Sequence, residues 1–147
     1  MTETFPLDIL KKDYSILNLF CAAFGGEYDV EHYHKFGIRS AVLIDNDSEK
    51  LKEVARKFPE YSCVCMDAFL FIQKCNVNSF DVVISDHWST QDVLIHGKYL
   101  EKLKQIARKY LILGINEQNR ERHGINKEGL YKRSDFRGGQ YWLVLKK

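Results

Sequence analysis

The stretch that decides the fold is Ser15-Ile16-Leu17-Asn18-Leu19-Phe20-Cys21-Ala22-Ala23-Phe24-Gly25-Gly26. It opens as a short, nearly continuous apolar run, which is how a strand buried on both faces reads. It then turns through small residues into a helical pattern that starts near Glu27. Small side chains let a ligand approach the backbone closely. The helix start behind them offers free N–H groups and a positive dipole end. A strand-to-helix turn needs small residues in any case, so the segment carries meaning only together with the residues at the other strand ends.

Four more strand-length apolar runs lie downstream, at Ser40 to Ile44, Tyr61 to Met66, Phe80 to Ser85 and Tyr110 to Ile115. Helical patterns separate them. Leu51, Val54, Ala55 and Phe58 recur at i, i+3, i+4 and i+7 behind Ser48, read as the N-cap, and stop before Pro59. Leu100, Leu103, Ala107 and Tyr110 repeat that spacing. Tyr28, Val30, Tyr33 and Phe36 give a third pattern that ends at Gly37. Alternating strands and helices predict a parallel sheet with right-handed crossovers and helices on both faces. The end of the chain breaks the alternation, because Leu130 to Phe136 and Gln140 to Leu145 flank Arg137-Gly138-Gly139, which reads as an antiparallel hairpin. The polar stretch Asn116 to Gly129 reads as a loop with a short helix. Both prolines, Pro6 and Pro59, fall outside the strands.

Composition agrees with a single domain over residues 1–147. The residues are 45% hydrophobic, 13% aromatic and 29% charged, which excludes disordered and fibrous classes. A chain of 147 residues buries enough surface to need neither disulfides nor a structural metal. With 22 Lys and Arg against 20 Asp and Glu, the net charge of +2 lacks the footprint of a dedicated nucleic-acid binder. No apolar run is long enough to cross a membrane and the N-terminus lacks a signal-peptide layout, so a cytoplasmic protein without a membrane partner is expected. Cys21, Cys63, Cys65 and Cys75 form no Cys-x-x-Cys pair and read as reduced, mostly buried thiols.

In an open α/β sheet, ligands bind beyond the carboxyl ends of the strands, near the point where strand order reverses. Asp45, Asp67 and Asp86 end the second, third and fourth runs. An acid at the tip of the second strand is placed to accept hydrogen bonds from ribose hydroxyls. Helix capping competes for that residue, but Asp47 and Ser48 can cap, which leaves Asp45 to a ligand.

With these pieces assembled, the sequence resembles the class I methyltransferases that use S-adenosylmethionine, over nearly its whole length. Their glycine-rich first motif is similar to Asn18 through Gly26, their ribose-binding acid matches Asp45, and their adenine-contacting acid matches Asp67. Their fourth motif matches Phe80-Asp81-Val82-Val83-Ile84-Ser85-Asp86. The resemblance implies a three-layer α/β sandwich of the methyltransferase Rossmann-like type. Its sheet would be mostly parallel and seven-stranded, ending in an antiparallel hairpin. Nicotinamide-binding relatives usually lack that hairpin, and their Gly-x-Gly-x-x-Gly is missing here, since Ala22 and Ala23 stand where glycines would be needed.

The resemblance also implies S-adenosylmethionine as cofactor, with backbone near Ala23 and Gly25 at its methionine part and Asp45 at the ribose. Asp67 with Ala68 or Phe69 would contact the adenine, while Asn18, Phe20, Ala22, Asn46 and Asp86 complete the cofactor set. Two departures stand out: the motif usually opens with an acid where this chain has Asn18, and it carries glycine where this chain has Ala22. Acceptor chemistry would fall to Asp86, His87 and Trp88, with Trp88 stacking on a planar acceptor and Asp86 or His87 taking a proton. The acid or Asn, Pro, Pro, aromatic run of base-amine enzymes is broken, and no Pro-Cys follows the fourth strand as in cytosine-C5 enzymes.

Asp86 and Asn116 are two oxygen ligands at most, so no metal is expected. His32 and His34 lie two apart on a helix and point to different sides. Arg120, Arg122, Lys127, Lys132, Arg133 and Arg137 outnumber Glu121, Glu128 and Asp135, which reads as a solvated face or as a patch for an anionic acceptor. The expected function is methyl transfer to a small-molecule or nucleic-acid acceptor, with loops, a homo-oligomer or a partner protein supplying target recognition. The alternative is a degenerate methyltransferase fold that serves as a cofactor-binding or protein-interaction module without turnover.

Overall fold

The computed structural model describes residues 5–20, 28–86, 98–132 and 141–147. Among them seven strands form one sheet in the order β3-β2-β1-β4-β5-β7-β6. The strands are β1 (Ser15–Leu19), β2 (Ser40–Asp45), β3 (Ser62–Cys65), β4 (Phe80–Ser85), β5 (Ala107–Ile115), β6 (Tyr131–Lys132) and β7 (Tyr141–Lys146). Strands β3, β2, β1, β4 and β5 run parallel, and β7 lies antiparallel between β5 and β6. This is the expected mostly parallel sheet with an antiparallel end. The helices are α1 (Tyr28–Phe36), α2 (Ser48–Lys57), α3 (Ala68–Lys74), α4 (Lys98–Ile106) and α5 (Glu117–Arg122).

Alternating side chains of the buried strands feed two separate cores, and this makes the three layers. Ile16, Leu43, Ile84 and Ile112 pack with Val30 and Tyr33 of α1 and with Leu51 and Val54 of α2. Leu17, Leu19, Val83, Leu111 and Leu113 pack on the other face with Ile72 of α3 and with Leu103 and Ile106 of α4. Central strands β1 and β4 are buried on both faces and carry no polar alternation, whereas edge strand β3 is largely exposed. Phe5 closes the first core, its ring 5.1 Å from Trp142 and 5.7 Å from His32.

Three expectations are corrected. Asp47, not Ser48, caps α2, its side chain accepting from Lys50 N, because Ser48 already lies inside the helix. Helix α4 stops at Ile106 although the helical spacing continues to Tyr110. Ala107 and Tyr110 instead pair with Phe80 and Val82 of β4, so sheet pairing overrides the periodicity. The thiols are less buried than expected: Cys63, Cys65 and Cys75 are free, Cys63 and Cys75 are half-buried, and Cys65 is exposed because β3 is the sheet edge. Cys21 lies outside the described residues, as do residues 133–136 of the sixth strand run and the turn at 137–139.

A polar clamp ties the opposite, amino-terminal edge of the sheet. Asp81 of β4 accepts from Ser15 N at 2.9 Å and from Arg108 Nε of β5 at 2.9 Å. Arg108 also donates to Asn78 O at 3.1 Å, and Lys147 Nζ donates to Asn78 Oδ1 at 2.9 Å. Asn78 adopts a left-handed φ of 55°, a conformation that Asn tolerates in turns.

Burial raises the Asp81 pKa, but the hydrogen bonds from Ser15 and Arg108 outweigh it and lower the carboxyl below its ordinary value of 3.8. A carboxyl that titrates lower in the folded state stabilises the fold fully above its unfolded pKa. That stability is lost as pH falls through the folded value. Asp81→Asn should therefore cost about 1–3 kcal/mol at pH 7. In urea titrations from pH 7 to pH 3, the gap between variant and wild type should narrow below about pH 4. A gap independent of pH would show that the charge of Asp81 does not matter.

Candidate functional site

Strand order reverses between β1 and β4, since β2 and β3 lie on one side of that pair and β5 on the other. The carboxyl ends of these two strands therefore border a crevice, and the candidate residues sit along its rim. From one side to the other come Asp67 after β3, Asp45 ending β2, Asn18 and Phe20 at β1, Ser85 and Asp86 at β4, and Asn116 after β5.

Asn18 is fully buried and its amide is engaged on both ends. Its Nδ2 donates to Asp29 Oδ2 at 2.9 Å, and its Oδ1 accepts from the Tyr33 hydroxyl at 2.8 Å. Both partners belong to α1, so the amide fastens the end of β1 to the helix that follows the small-residue turn. A carboxylate at position 18 would face Asp29, itself buried, across this contact. Asn therefore suits the site. The family motif's acid is absent from the strand, yet a carboxylate is present one side chain away, on the helix.

Phe20 occupies an unusual backbone state, φ 58°. A non-glycine residue there costs about 1–2 kcal/mol relative to extended backbone. Its ring meets Phe69 edge-on at 5.7 Å, and Phe69 in turn meets Tyr99 at 4.8 Å. The aromatic row lies against the core on the α3 and α4 face. The first residue after β1 thus reaches the segment that the resemblance assigns to adenine.

Asp45 is 6% exposed at the last position of β2. Its Oδ1 accepts from Asp47 N at 2.9 Å, which shapes the turn, while Asp47 rather than Asp45 caps α2. Asn46 beside it is exposed, and its carbonyl accepts a weak bond from Cys65 Sγ at 3.7 Å. Asp67 is the N-cap of α3, with Oδ1 accepting from Leu70 N at 3.1 Å, a local role beyond the ligand contact expected of it. Ala68 is buried in the core and Phe69 packs against it. Asp86 follows β4 and is half-buried. Ser85, to which the fourth-motif match assigns no role, is 1% exposed, and its hydroxyl lacks a hydrogen-bond partner among the described residues. Only the pairing of donors and acceptors in three dimensions reveals such a group.

Ala22, Ala23, Gly25, His87 and Trp88 lie outside the described residues. Asn116 caps α5 through its side-chain oxygen, which accepts from Asn119 N at 2.7 Å, so that oxygen is engaged rather than offered to a metal. Among the described residues no group of three or more His, Cys, Asp or Glu could hold a metal ion. His32 and His34 do point apart: His32 stacks on Phe5, while His34 pairs with Glu60.

The basic segment is partly self-neutralised. Arg120 bonds Glu117, and its Nη1 donates to Ile125 O at 2.8 Å. The Arg120 guanidinium and then the Tyr141 hydroxyl hold the Glu117 carboxyl down to about 2. Lys127 Nζ lies 3.9 Å from the same carboxylate. Arg120 thus braces α5 against the following loop, while Arg122 and Lys132 stay exposed and Arg133 and Arg137 lie outside the described residues.

No family model matches the chain, and no curated protein matches it. Solved structures do. A methyltransferase described as SAM-dependent from Archaeoglobus fulgidus superposes with a TM-score of 0.58 at 17% identity, over 76% of this chain and 49% of that one. A TehB-like SAM-dependent methyltransferase from Corynebacterium glutamicum gives 0.55 at 13% identity, over 95% and 83%. The bifunctional kinase-methyltransferase WbdD gives 0.56 at 19% identity, over 73% and 25%. The chain thus spans about a quarter of the length of WbdD and about half that of the Archaeoglobus protein. These likenesses, with the strand order, show that the chain has the class I methyltransferase fold.

The Asn18 anchor can be tested alone. Tyr33→Phe leaves a buried amide oxygen without its donor and should destabilise the chain by about 1–2 kcal/mol, read from denaturant midpoints with circular dichroism unchanged. An unaltered midpoint would remove the hydroxyl from the anchor.

Proposed function

We propose that the chain binds S-adenosylmethionine at the β1/β4 crevice and transfers its methyl group to a small-molecule or nucleic-acid acceptor. The observation that carries the reading is β7, which runs antiparallel between β5 and β6 beside an otherwise parallel sheet, in a fold that superposes on solved methyltransferases. The donor set along the rim fits the cofactor. Asp45 presents a buried carboxylate that complements ribose hydroxyls, Asp67 borders the adenine end next to Ala68 and Phe69, and Phe20 supplies a ring. Backbone of residues 22–25 is assigned to the methionine part.

The sulfonium supplies an activated methyl, so the chain itself has mainly to align the acceptor and exclude water. The Asp86 carboxylate, one residue beyond β4, takes the proton released from an acceptor hydroxyl or amine, with His87 beside it and Trp88 stacking on the acceptor. The positive residues of the 120–137 segment, exposed Lys132 among them, would attract an anionic acceptor, while Arg120 is engaged by Glu117. Target choice would rest on loops, on a second copy or on a partner protein.

A second reading keeps the cofactor and drops the turnover. It is favoured by the φ of 58° at Phe20, a strained backbone directly after β1.

Titration calorimetry with S-adenosylmethionine, S-adenosylhomocysteine and NADH tests the assignment. Binding of the first two alone at micromolar concentration is expected, and binding of none would overturn it. Asp45→Ala removes an acceptor of two ribose hydrogen bonds and should weaken binding about 10- to 100-fold. Asp86→Ala should remove turnover once an acceptor is known.

A further inference from the structure

The cations of the chain are unevenly placed. Lys98, Lys102 and Lys104 of α4, Lys109 of β5, and Lys146 and Lys147 at the end of β7 share their part of the molecule with one acid among the described residues, Glu101. These are six of the 22 Lys and Arg set against one of the 20 Asp and Glu, so a chain of net charge +2 is net negative over its remainder. Arg108 nearby is neutralised by Asp81. Lys102, Lys109 and Lys146 form no ion pair among the described residues, and Lys98 meets the Tyr99 ring, 5.3 Å from its centroid. Lys104 lies 3.6 Å from Glu101, a pair of exposed side chains that contributes little. Lys102 is half-buried without a carboxylate beside it, a charge that burial penalises and a bound anion would relieve.

Helix α4 runs against the parallel strands, because it precedes β5 and follows β4. Its first turn, with Lys98 and Tyr99, therefore lies at the crevice, and the rings of Tyr99, Phe69 and Phe20 link it to the end of β1. Its last turn lies toward the opposite edge of the sheet, where antiparallel β7 ends. A hollow flanks the helix on each side. One, of about 360 Å³, lies between α3 and α4 and is lined by Ile72, Gln73, Lys98, Tyr99 and Lys102. The other, of about 300 Å³, lies between α4 and β7, where Lys104, Lys146 and Lys147 surround a floor of Ala107, Leu111 and Leu145. No acid among the described residues lines either one. Apolar and aromatic platforms bordered by cations suit a strand with free bases and charged phosphates, whereas a duplex would use the cations alone. A membrane is a poorer fit, since the exposed large apolar side chains Val64, Leu70 and Val77 line neither hollow and so give this surface nothing to insert.

We propose that the surface formed by α4 and its two flanking hollows binds single-stranded nucleic acid and leads it to the β1/β4 crevice. The lysines hold phosphates and the hollows receive bases. As a binding surface it stands apart from the cofactor; as a choice of acceptor it rests on the methyl-transfer reading above, which leaves small molecules and nucleic acids both open.

The test is fluorescence anisotropy of the full chain with labelled oligouridylate and oligothymidylate of about 12 nucleotides, with a duplex of the same length and with phosphatidylserine vesicles as competitors. Both single strands should bind, with log affinity falling against log salt by about 0.7 per phosphate held. Lys98→Ala with Lys102→Ala should weaken binding about tenfold and flatten that slope by about 1.4. Lys104→Ala with Lys146→Ala should do the same, and it carries the test if the first pair fails to fold. Lys50→Ala with Lys52→Ala removes equal charge from α2, on the other face of the sheet, and should change affinity less than about twofold.

A preference for one of the two strands supports the proposal and names the polymer. Absence of binding at low salt, tighter binding of the duplex, or equal loss in all three paired variants would overturn it. Vesicles that compete better than either strand would assign the surface to a membrane and overturn it too. S-adenosylhomocysteine is titrated in parallel. A chain that binds the strands but not this ligand would overturn the cofactor reading and leave the surface standing, whereas one that binds the ligand and no strand would overturn the surface alone.

Discussion

The parallel pairing of β1 with β4 is the constraint on which the rest of the molecule depends. Two strands that are distant in sequence and buried on both faces must lie side by side, and the chain must leave them in opposite directions to build the sheet outward. Parallel neighbours need crossovers, and crossovers of one hand place α1 and α2 on one face and α3 and α4 on the other. The same divergence makes the carboxyl ends of β1 and β4 the point where strand order reverses. A crevice at that point is a by-product of topology, and residues at the strand ends inherit whatever chemistry it hosts. The Asp81, Ser15 and Arg108 clamp at the far end of the same strands holds the pairing without intruding on the rim.

How much of this is legible in the residues depends on where each signal lives. Buried strands announce themselves because burial on two faces demands runs such as Ile16 to Leu19 and Val82 to Ile84, and α2 because its one buried stripe demands Leu51 and Val54 at helical spacing. The boundary between α4 and β5 is illegible for the converse reason. Ala107 and Tyr110 satisfy a helix period and a strand partner equally well, and only the position of β4 decides between them. Acids at strand ends are legible as candidates, but their local duties are not. Asp67 and Asn116 each cap a helix, a role that depends on where the next N–H groups point.

Residues that the family pattern makes look defective acquire reasons in three dimensions. Asn18 lies against a buried carboxylate and under a tyrosine hydroxyl, and an amide is the side chain that can donate to one and accept from the other at once. An acid there would bring two carboxylates together in a buried setting, where one must protonate or the pair must separate. The substitution is therefore coupled to Asp29 and Tyr33. A carboxylate, that of Asp29 on α1, stands one side chain away from position 18.

Phe20 calls for the opposite kind of argument, since its φ of 58° is one that a phenylalanine rarely adopts. Its ring contact with Phe69 is one that a glycine could not make. The two rings form an aromatic bridge between the end of β1 and the start of α3. A bridge of that kind makes the rim stiffer and more apolar than a glycine turn would. Polar groups flank the bridge, Asp45 on one side and Ser85 and Asp86 on the other.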